Sequence, residues 1–257
     1  MAKSLLPLIS IGLSLKSIIL TALLRCAMIC SEIWAITYAD NSGDCNMINL
    51  AIFDHDMTIV DSSYAIMEAF NYVAKHEGLP LVSHELTMQY IATPIPTFCE
   101  GLLGEYRPEW IKLYRSVSEK CERELIKPFP DTVSTLLALR DKGIKLAVVS
   151  NRERPSLVLQ RTGLAQYFDL IVGAEEPFGH LPYKPNSAMI DATLNHFNIP
   201  QDNAVYIGDA DIDILTAINA GVKGIGITKG NFSENDFSLM GAWKSIQNLS
   251  QLLDIIL

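Results

Sequence analysis

From residue 131 to the C-terminus, short apolar runs alternate with helical patterns, and that alternation limits the chain to very few folds. Asp131 caps an expected helix running through Lys142, and Gly143 ends it. Apolar strands follow at Lys145–Val149, Leu170–Val172, Ala204–Ile207 and Gly224–Ile227. Helical stretches separate them at Pro155–Thr162, Asn186–Phe197 and Ile212–Ala220, and Ser245–Ile256 reads as a last helix. A further strand is expected upstream, at Ile48–Phe53. Strands alternating with helices predict an α/β fold, a parallel sheet with helices on both faces. Near-continuous apolar runs suit strands buried on both sides.

Residues 61–127 break this rhythm. Ile66, Phe70 and Val73 mark a helix over Ser62–His76, stopped by Gly78 and Pro80. Ser83–Ile91 reads as a short helix closed by Pro94 and Pro96, and Pro108–Leu125 as a long one with Pro108 in its first turn. The block is expected to be all-helical, inserted between residues 47–60 and 128–257 of the sheet domain.

The first 46 residues differ chemically from the rest. Their charges cancel, so the whole net charge of −9 falls on the remainder. Phosphate-backbone affinity comes from Lys and Arg, so nucleic acid is excluded as a general ligand. Ser4–Leu15 and Ser17–Leu24 are the longest uncharged stretches of this segment, short of the roughly 20 residues that span a bilayer. Three readings of the segment stay open: a signal peptide with a small-residue site at Thr37-Tyr38-Ala39, a membrane-associated anchor, or an untranslated stretch before a start at Met47. No membrane span is expected in the remainder. The expected location is the cytoplasm, or outside it if residues 1–39 are a signal. Five cysteines without a CxxC pair suggest neither a disulfide framework nor a zinc cluster.

Ligands of open parallel sheets sit beyond the carboxyl ends of the strands, and acidic and polar residues gather there. Asp54 and Asp56 follow the first strand. Two apart in extended chain, they are expected to face one pocket, each disfavouring the other's ionisation. Such a pair suits a nucleophile with a general acid, or a divalent cation; alternatively, one caps a helix and the other is solvated. Ser150 and Asn151 follow the second strand and can donate to a phosphate, or begin a turn. Lys184, between Pro182 and Pro185, can neutralise an anion, or be an ordinary surface lysine. Gly208-Asp209-Ala210-Asp211-Ile212-Asp213 offers hard oxygen ligands of the kind magnesium takes, or an acidic first helical turn, which Asp211 fits best.

In this order the four motifs resemble those of the haloacid dehalogenase superfamily: DxDx[TV] in Asp54, Asp56 and Thr58; a strand ending in Ser150; Lys184; and GDxxxD in Gly208, Asp209 and Asp213. The resemblance runs from Met47 to the C-terminus, and the helical block resembles the cap of the phosphoglycolate phosphatase and β-phosphoglucomutase branch. It implies a Rossmann-like core and hydrolysis of a small phosphate ester. Asp54 would be the nucleophile and Asp56 the acid and base. Mg²⁺ would be held by Asp54, the Asp56 backbone carbonyl and Asp209, with Asp213 behind them; Ser150, Asn151 and Lys184 would bind phosphate. The ion-pump relatives carry Thr where Asp56 stands, and Asp56 argues for a phosphatase or phosphomutase over a pump or a dehalogenase. A phosphosugar mutase and a catalytically silent binding module are the alternatives. Three positions depart from the pattern: Met57 stands where the branch has Gly, His55 where it has an apolar residue, and Asp131, read as an N-cap, where Gly is common.

A chain beginning at Met47 is expected to fold and keep full phosphatase activity, since nothing upstream of Ile48 is needed to complete the sheet. Expression trials and phosphate-release assays on that truncation check this; an insoluble or inactive product, with the full chain active, reverses it.

Overall fold

The computed structural model describes residues 47–91, 93 and 95–257. The expectations for residues 1–46 therefore lie outside the described residues. Six parallel strands form one sheet in the order β5-β4-β1-β6-β7-β8. They are β1 (Leu50–Phe53), β4 (Lys145–Val149), β5 (Leu170–Val172), β6 (Ala204–Gly208), β7 (Lys223–Ile227) and β8 (Lys244–Ile246). The central strand β1 runs beside β4 and β6 in register, with Phe53 opposite Val148 and Ile207.

Alternate side chains of each strand enter opposite cores. Ala51, Phe53, Leu146, Val148, Val205 and Ile207 join one apolar cluster. That cluster is closed by α5 (Thr132–Asp141), α6 (Pro155–Arg161) and α10 (Leu252–Ile256). Leu50, Ile52, Ala147, Val149 and Tyr206 join the other. It is covered by α7 (Ala188–Phe197) and α8 (Asp211–Asn219). Burial on both faces is what the unbroken apolar runs signalled.

The inserted block forms α1 (Ser63–Glu77), α2 (His84–Tyr90), α3 (Ile95–Leu103) and α4 (Pro108–Leu125). It has an apolar cluster of its own, built on Phe70, Val73, Phe98, Leu102 and Trp110. The expectation that 61–127 holds no strand is corrected. Val60–Asp61 (β2) pairs antiparallel with Lys127–Pro128 (β3), closing the neck where the chain enters and leaves the block. Two residues on each side are too short for a periodic signal, and only the crossing of two chain segments creates the ladder.

Further differences have local causes. Pro96 does not close a helix; it occupies the second position of α3, where a missing N–H costs nothing. The last helix expected over Ser245–Ile256 is shorter, because Lys244–Ile246 instead adds a sheet edge to β7 and only Leu252–Ile256 is α-helical. An unforeseen helix α9 (Glu234–Met240) precedes it, capped by reciprocal bonds between Ser233 and Asp236. Asp131 stands at the start of α5, but its side chain does not cap. Its carboxylate accepts bonds from Lys229 Nζ (3.4 Å) and the Ser250 N–H (3.1 Å) instead. No helix among the described residues is long and apolar enough to cross a membrane.

Trp110 is 2% exposed in the cluster of the helical block, so Trp110→Ala should cost about 3–5 kcal/mol. Urea unfolding followed through the loss of tertiary signal checks this.

Candidate active site

The carboxyl ends of β1, β4 and β6 bring the candidate residues together. Lys184 arrives on the loop between β5 and α7, and its ammonium is almost fully buried. It donates to Asp54 Oδ1 (2.5 Å), Asp213 Oδ1 (2.7 Å) and the Tyr206 hydroxyl (3.0 Å). Burial alone would lower its pKa, but Asp213 and Asp54 outweigh this and hold it well above the usual lysine value. The loop is fixed from two sides. Asn151 Oδ1 accepts the Lys184 backbone N–H at 2.7 Å, and Asn219 Nδ2 donates to the Pro185 carbonyl at 2.8 Å. Asn151 thus supports the loop through its oxygen, which leaves its amide N–H groups as its donors.

Asp209 follows β6 and receives a long bond from the Thr58 hydroxyl (3.4 Å). Asp213, in the first turn of α8, is buried; its second oxygen accepts the Ala210 N–H at 3.1 Å. Asp213 packs so closely over Gly208 that a Cβ there would collide with its carboxyl group. Asp211 is exposed and bonds the Ile212 N–H, serving the helix end. Ser150, 2% exposed, accepts the Arg152 N–H at 3.2 Å.

Oxygens of Asp54, Asp209 and Asp213 lie within 4.8 Å of one another. Burial, then the neighbouring carboxylate of Asp213, raise the Asp54 pKa to about 7 despite the opposing lysine. Burial, Asp213 and Asp54 also raise that of Asp209. Three buried carboxylates share one ammonium, and the donors are hard oxygens. The set fits a small divalent cation.

Asp56 departs from the expected arrangement. It still helps to raise the pKa of Asp54, as expected, but its own carboxylate is taken by Arg152: Nε to Oδ2 at 2.6 Å and Nη2 to Oδ1 at 2.9 Å. Burial alone would raise its pKa, but Arg152, and after it His55, hold it well below the usual carboxylate range. Arg152 Nη1 reaches on to Glu122 of α4 at 2.7 Å. His55 is wholly buried, with Nδ1 3.3 Å from Asp56 Oδ2. Met57 adopts φ 55°, the left-handed region that favours glycine, and its side chain joins the apolar cluster of the helical block. The strain there, about 1–3 kcal/mol, is offset by burying the thioether side chain, worth roughly 1.5–3 kcal/mol.

The sequence reading missed Arg152, Glu122 and Tyr206. Arg152 adjoins the Ser150-Asn151 pair, but nothing in the chain names Asp56 and Glu122 as its partners. Tyr206 reads as one more apolar strand residue.

The sequence model of the haloacid dehalogenase-like hydrolases matches residues 51–227. A phosphoglycolate phosphatase of Aquifex aeolicus is 33% identical over 199 residues, which cover 75% of this chain and 92% of that protein. A pyrophosphatase of Halalkalibacterium halodurans is 26% identical over 178 residues, 68% of this chain and 81% of its own. Among solved structures, a haloacid dehalogenase-like family hydrolase of Streptococcus pneumoniae superposes with a TM-score of 0.70 at 22% identity, covering 82% of this chain and 99% of that one.

A raised carboxyl pKa means that the folded state binds more protons than the unfolded one between the two values. The metal-free protein should therefore lose stability as pH rises from about 4 to about 7, through Asp54 and in the same direction Asp209. Asp56, with its pKa lowered, acts below that window. Asp209→Asn should flatten the decline and raise Tm at the alkaline end by a few degrees, and should remove the stabilisation that a divalent cation held by the buried carboxylates would give. Thermal melts across pH, with and without Mg²⁺, check both.

Proposed function

The chain belongs to the haloacid dehalogenase-like hydrolase family and is a phosphatase of it; from this premise we propose that it is a Mg²⁺-dependent hydrolase of small phosphate monoesters working through an aspartyl-phosphate on Asp54. The observation that carries the proposal is the buried meeting of Asp54, Lys184, Asp209 and Asp213 at the ends of the central strands. Residues 61–127 serve in it as the cap over a core made of 47–60 and 128–257.

An Asp54 oxygen attacks phosphorus as the bond to the ester oxygen breaks, and Asp56 gives that oxygen a proton. Asp56 then takes a proton from water; the water oxygen attacks phosphorus, the bond to Asp54 breaks, and inorganic phosphate leaves. Lys184, with the Ser150 hydroxyl and the Asn151 amide, holds the phosphoryl oxygens as charge builds on them. Asp54, Asp209 and the Asp56 backbone carbonyl would hold Mg²⁺, which supplies charge neutralisation at the phosphoryl group. Asp213 touches Lys184 rather than substrate, and orients it. The relatives named phosphoglycolate phosphatase and pyrophosphatase make 2-phosphoglycolate and pyrophosphate the first compounds to assay. Asp56 suits a phosphosugar mutase as well as a hydrolase; hydrolysis is favoured because a mutase must keep water from its phospho-aspartate, and both relatives named above carry the names of hydrolysing enzymes.

Asp54→Asn should lower kcat by at least roughly 10³-fold while the melting profile stays close to that of the wild type or rises. Steady-state kinetics on a panel of phosphate monoesters measures it; turnover within about tenfold of wild type removes Asp54 as nucleophile. Lys184→Ala should weaken inhibition by inorganic phosphate and slow turnover together. A change confined to Tm would make Lys184 a purely structural cation.

A further inference from the structure

Arg152 lies outside the four motifs, yet all three of its guanidinium nitrogens are engaged. Nε and Nη2 grip both oxygens of Asp56, and Nη1 bonds Glu122. A guanidinium is planar and its donors are fixed in a fork, so one group sets the two carboxylates relative to each other. Asp56 belongs to the sheet domain, and Glu122 to α4 of the helical block. A second ion pair joins the same helix to the sheet domain one turn earlier, Arg161 Nη2 to Glu119 at 2.7 Å. The backbone beside Asp56 is tied to the block as well, because Met57 inserts its side chain into the cluster of Phe70, Phe98 and Trp110. Side chain and backbone at Asp56 are thus both anchored in the inserted helices.

We propose that Arg152 is a positioning residue that ties Asp56 to the helical block through Glu122, so that α4 must be seated for the acid to stand in line with the leaving oxygen. The inference rests on Asp56 acting as the acid in the proposed hydrolysis. It carries a chemical signature. An alkoxide leaving group needs a proton in the transition state, whereas nitrophenolate leaves without one. A misplaced Asp56 therefore slows transfer from an alkyl phosphate and spares p-nitrophenyl phosphate. A general loss of packing slows both alike.

The experiment compares wild type, Glu122→Gln, Arg152→Ala, Arg152→Lys and the Glu122→Gln/Arg152→Ala double variant on 2-phosphoglycolate and p-nitrophenyl phosphate, reading kcat/KM. Glu122→Gln should lower the value for 2-phosphoglycolate by roughly tenfold and that for p-nitrophenyl phosphate by less than about twofold. It should add nothing once Arg152 is alanine. Lysine, which cannot fork between two carboxylates, should not rescue Arg152. Amide hydrogen exchange over residues 55–60 should quicken in Glu122→Gln. Equal losses on both esters, additive losses in the double variant, or unchanged exchange would each overturn the proposal. If wild type hydrolyses neither ester, it is the phosphatase reading that fails for these esters, and the exchange measurement alone then decides the tie.

Discussion

The Lys184 ammonium, buried between two carboxylates and a phenol, is the interaction on which the rest of the site depends. Its three partners come from the end of β1, the middle of β6 and the first turn of α8. Removing one member of such a pair strands an uncompensated charge away from water, which costs more than the pair contributes net. The surroundings follow from holding it. Gly208 lacks a side chain because Asp213 lies over it, and Asn151 and Asn219 anchor the loop that delivers the lysine. In the proposed hydrolysis, a phosphoryl group entering beside Asp54 would meet a cation already in place, leaving little reorganisation for the reaction step.

A second cation does comparable work at the boundary with the inserted helices. Arg152 faces Asp56 on one side and α4 on the other, while the β2–β3 ladder closes the neck below. Asn231 Nδ2 also donates to the carbonyls of Gln89 and Ile91 at the end of α2. The block therefore meets the sheet domain by these polar contacts and by apolar ones as well, with Met57 and Phe129 packed on its cluster and Ala65, Cys121 and Leu125 packed on the cluster of the sheet.

Much of this was legible in the sequence because the signals are local. β4, β5 and α4 stand where their apolar runs and Pro108 placed them, and the acidic pairs occupy strand ends as parallel sheets require. What failed was non-local or ambiguous. Lys244–Ile246 and the apolar residues after it share one helix-like spacing, and only the open edge of β7 makes the first three a strand. α3 was hidden by Pro96, read as a stop when it sits in a first turn. Within the site, Asp54, Asp209, Asp213 and Lys184 could be named from their strand ends. The grouping that matters chemically could not: Asp54 and Asp56 were expected to act on each other, and although Asp56 does help to raise the pKa of Asp54, each also bonds a cation that arrives from nearly 100 or more residues away.

That separation resolves a difficulty set by the charge of the molecule. The chain is acidic, and its site gathers Asp54, Asp56, Asp209 and Asp213 where a phosphate dianion must enter. With a pKa near 7, Asp54 in the metal-free protein is only partly ionised at neutral pH, which is a poor state for a nucleophile. A divalent cation between Asp54 and Asp209 would remove that obstacle and the repulsion of substrate together. Asp56 needs the opposite freedom, because it must lose and regain a proton without being pinned by the same cation through its carboxyl. Its carboxyl group is turned to Arg152, and only its backbone carbonyl remains for the metal. Two carboxyls two residues apart thus face different cations, and in the proposed hydrolysis the guanidinium must release one Asp56 oxygen before that oxygen can carry a proton to the leaving group.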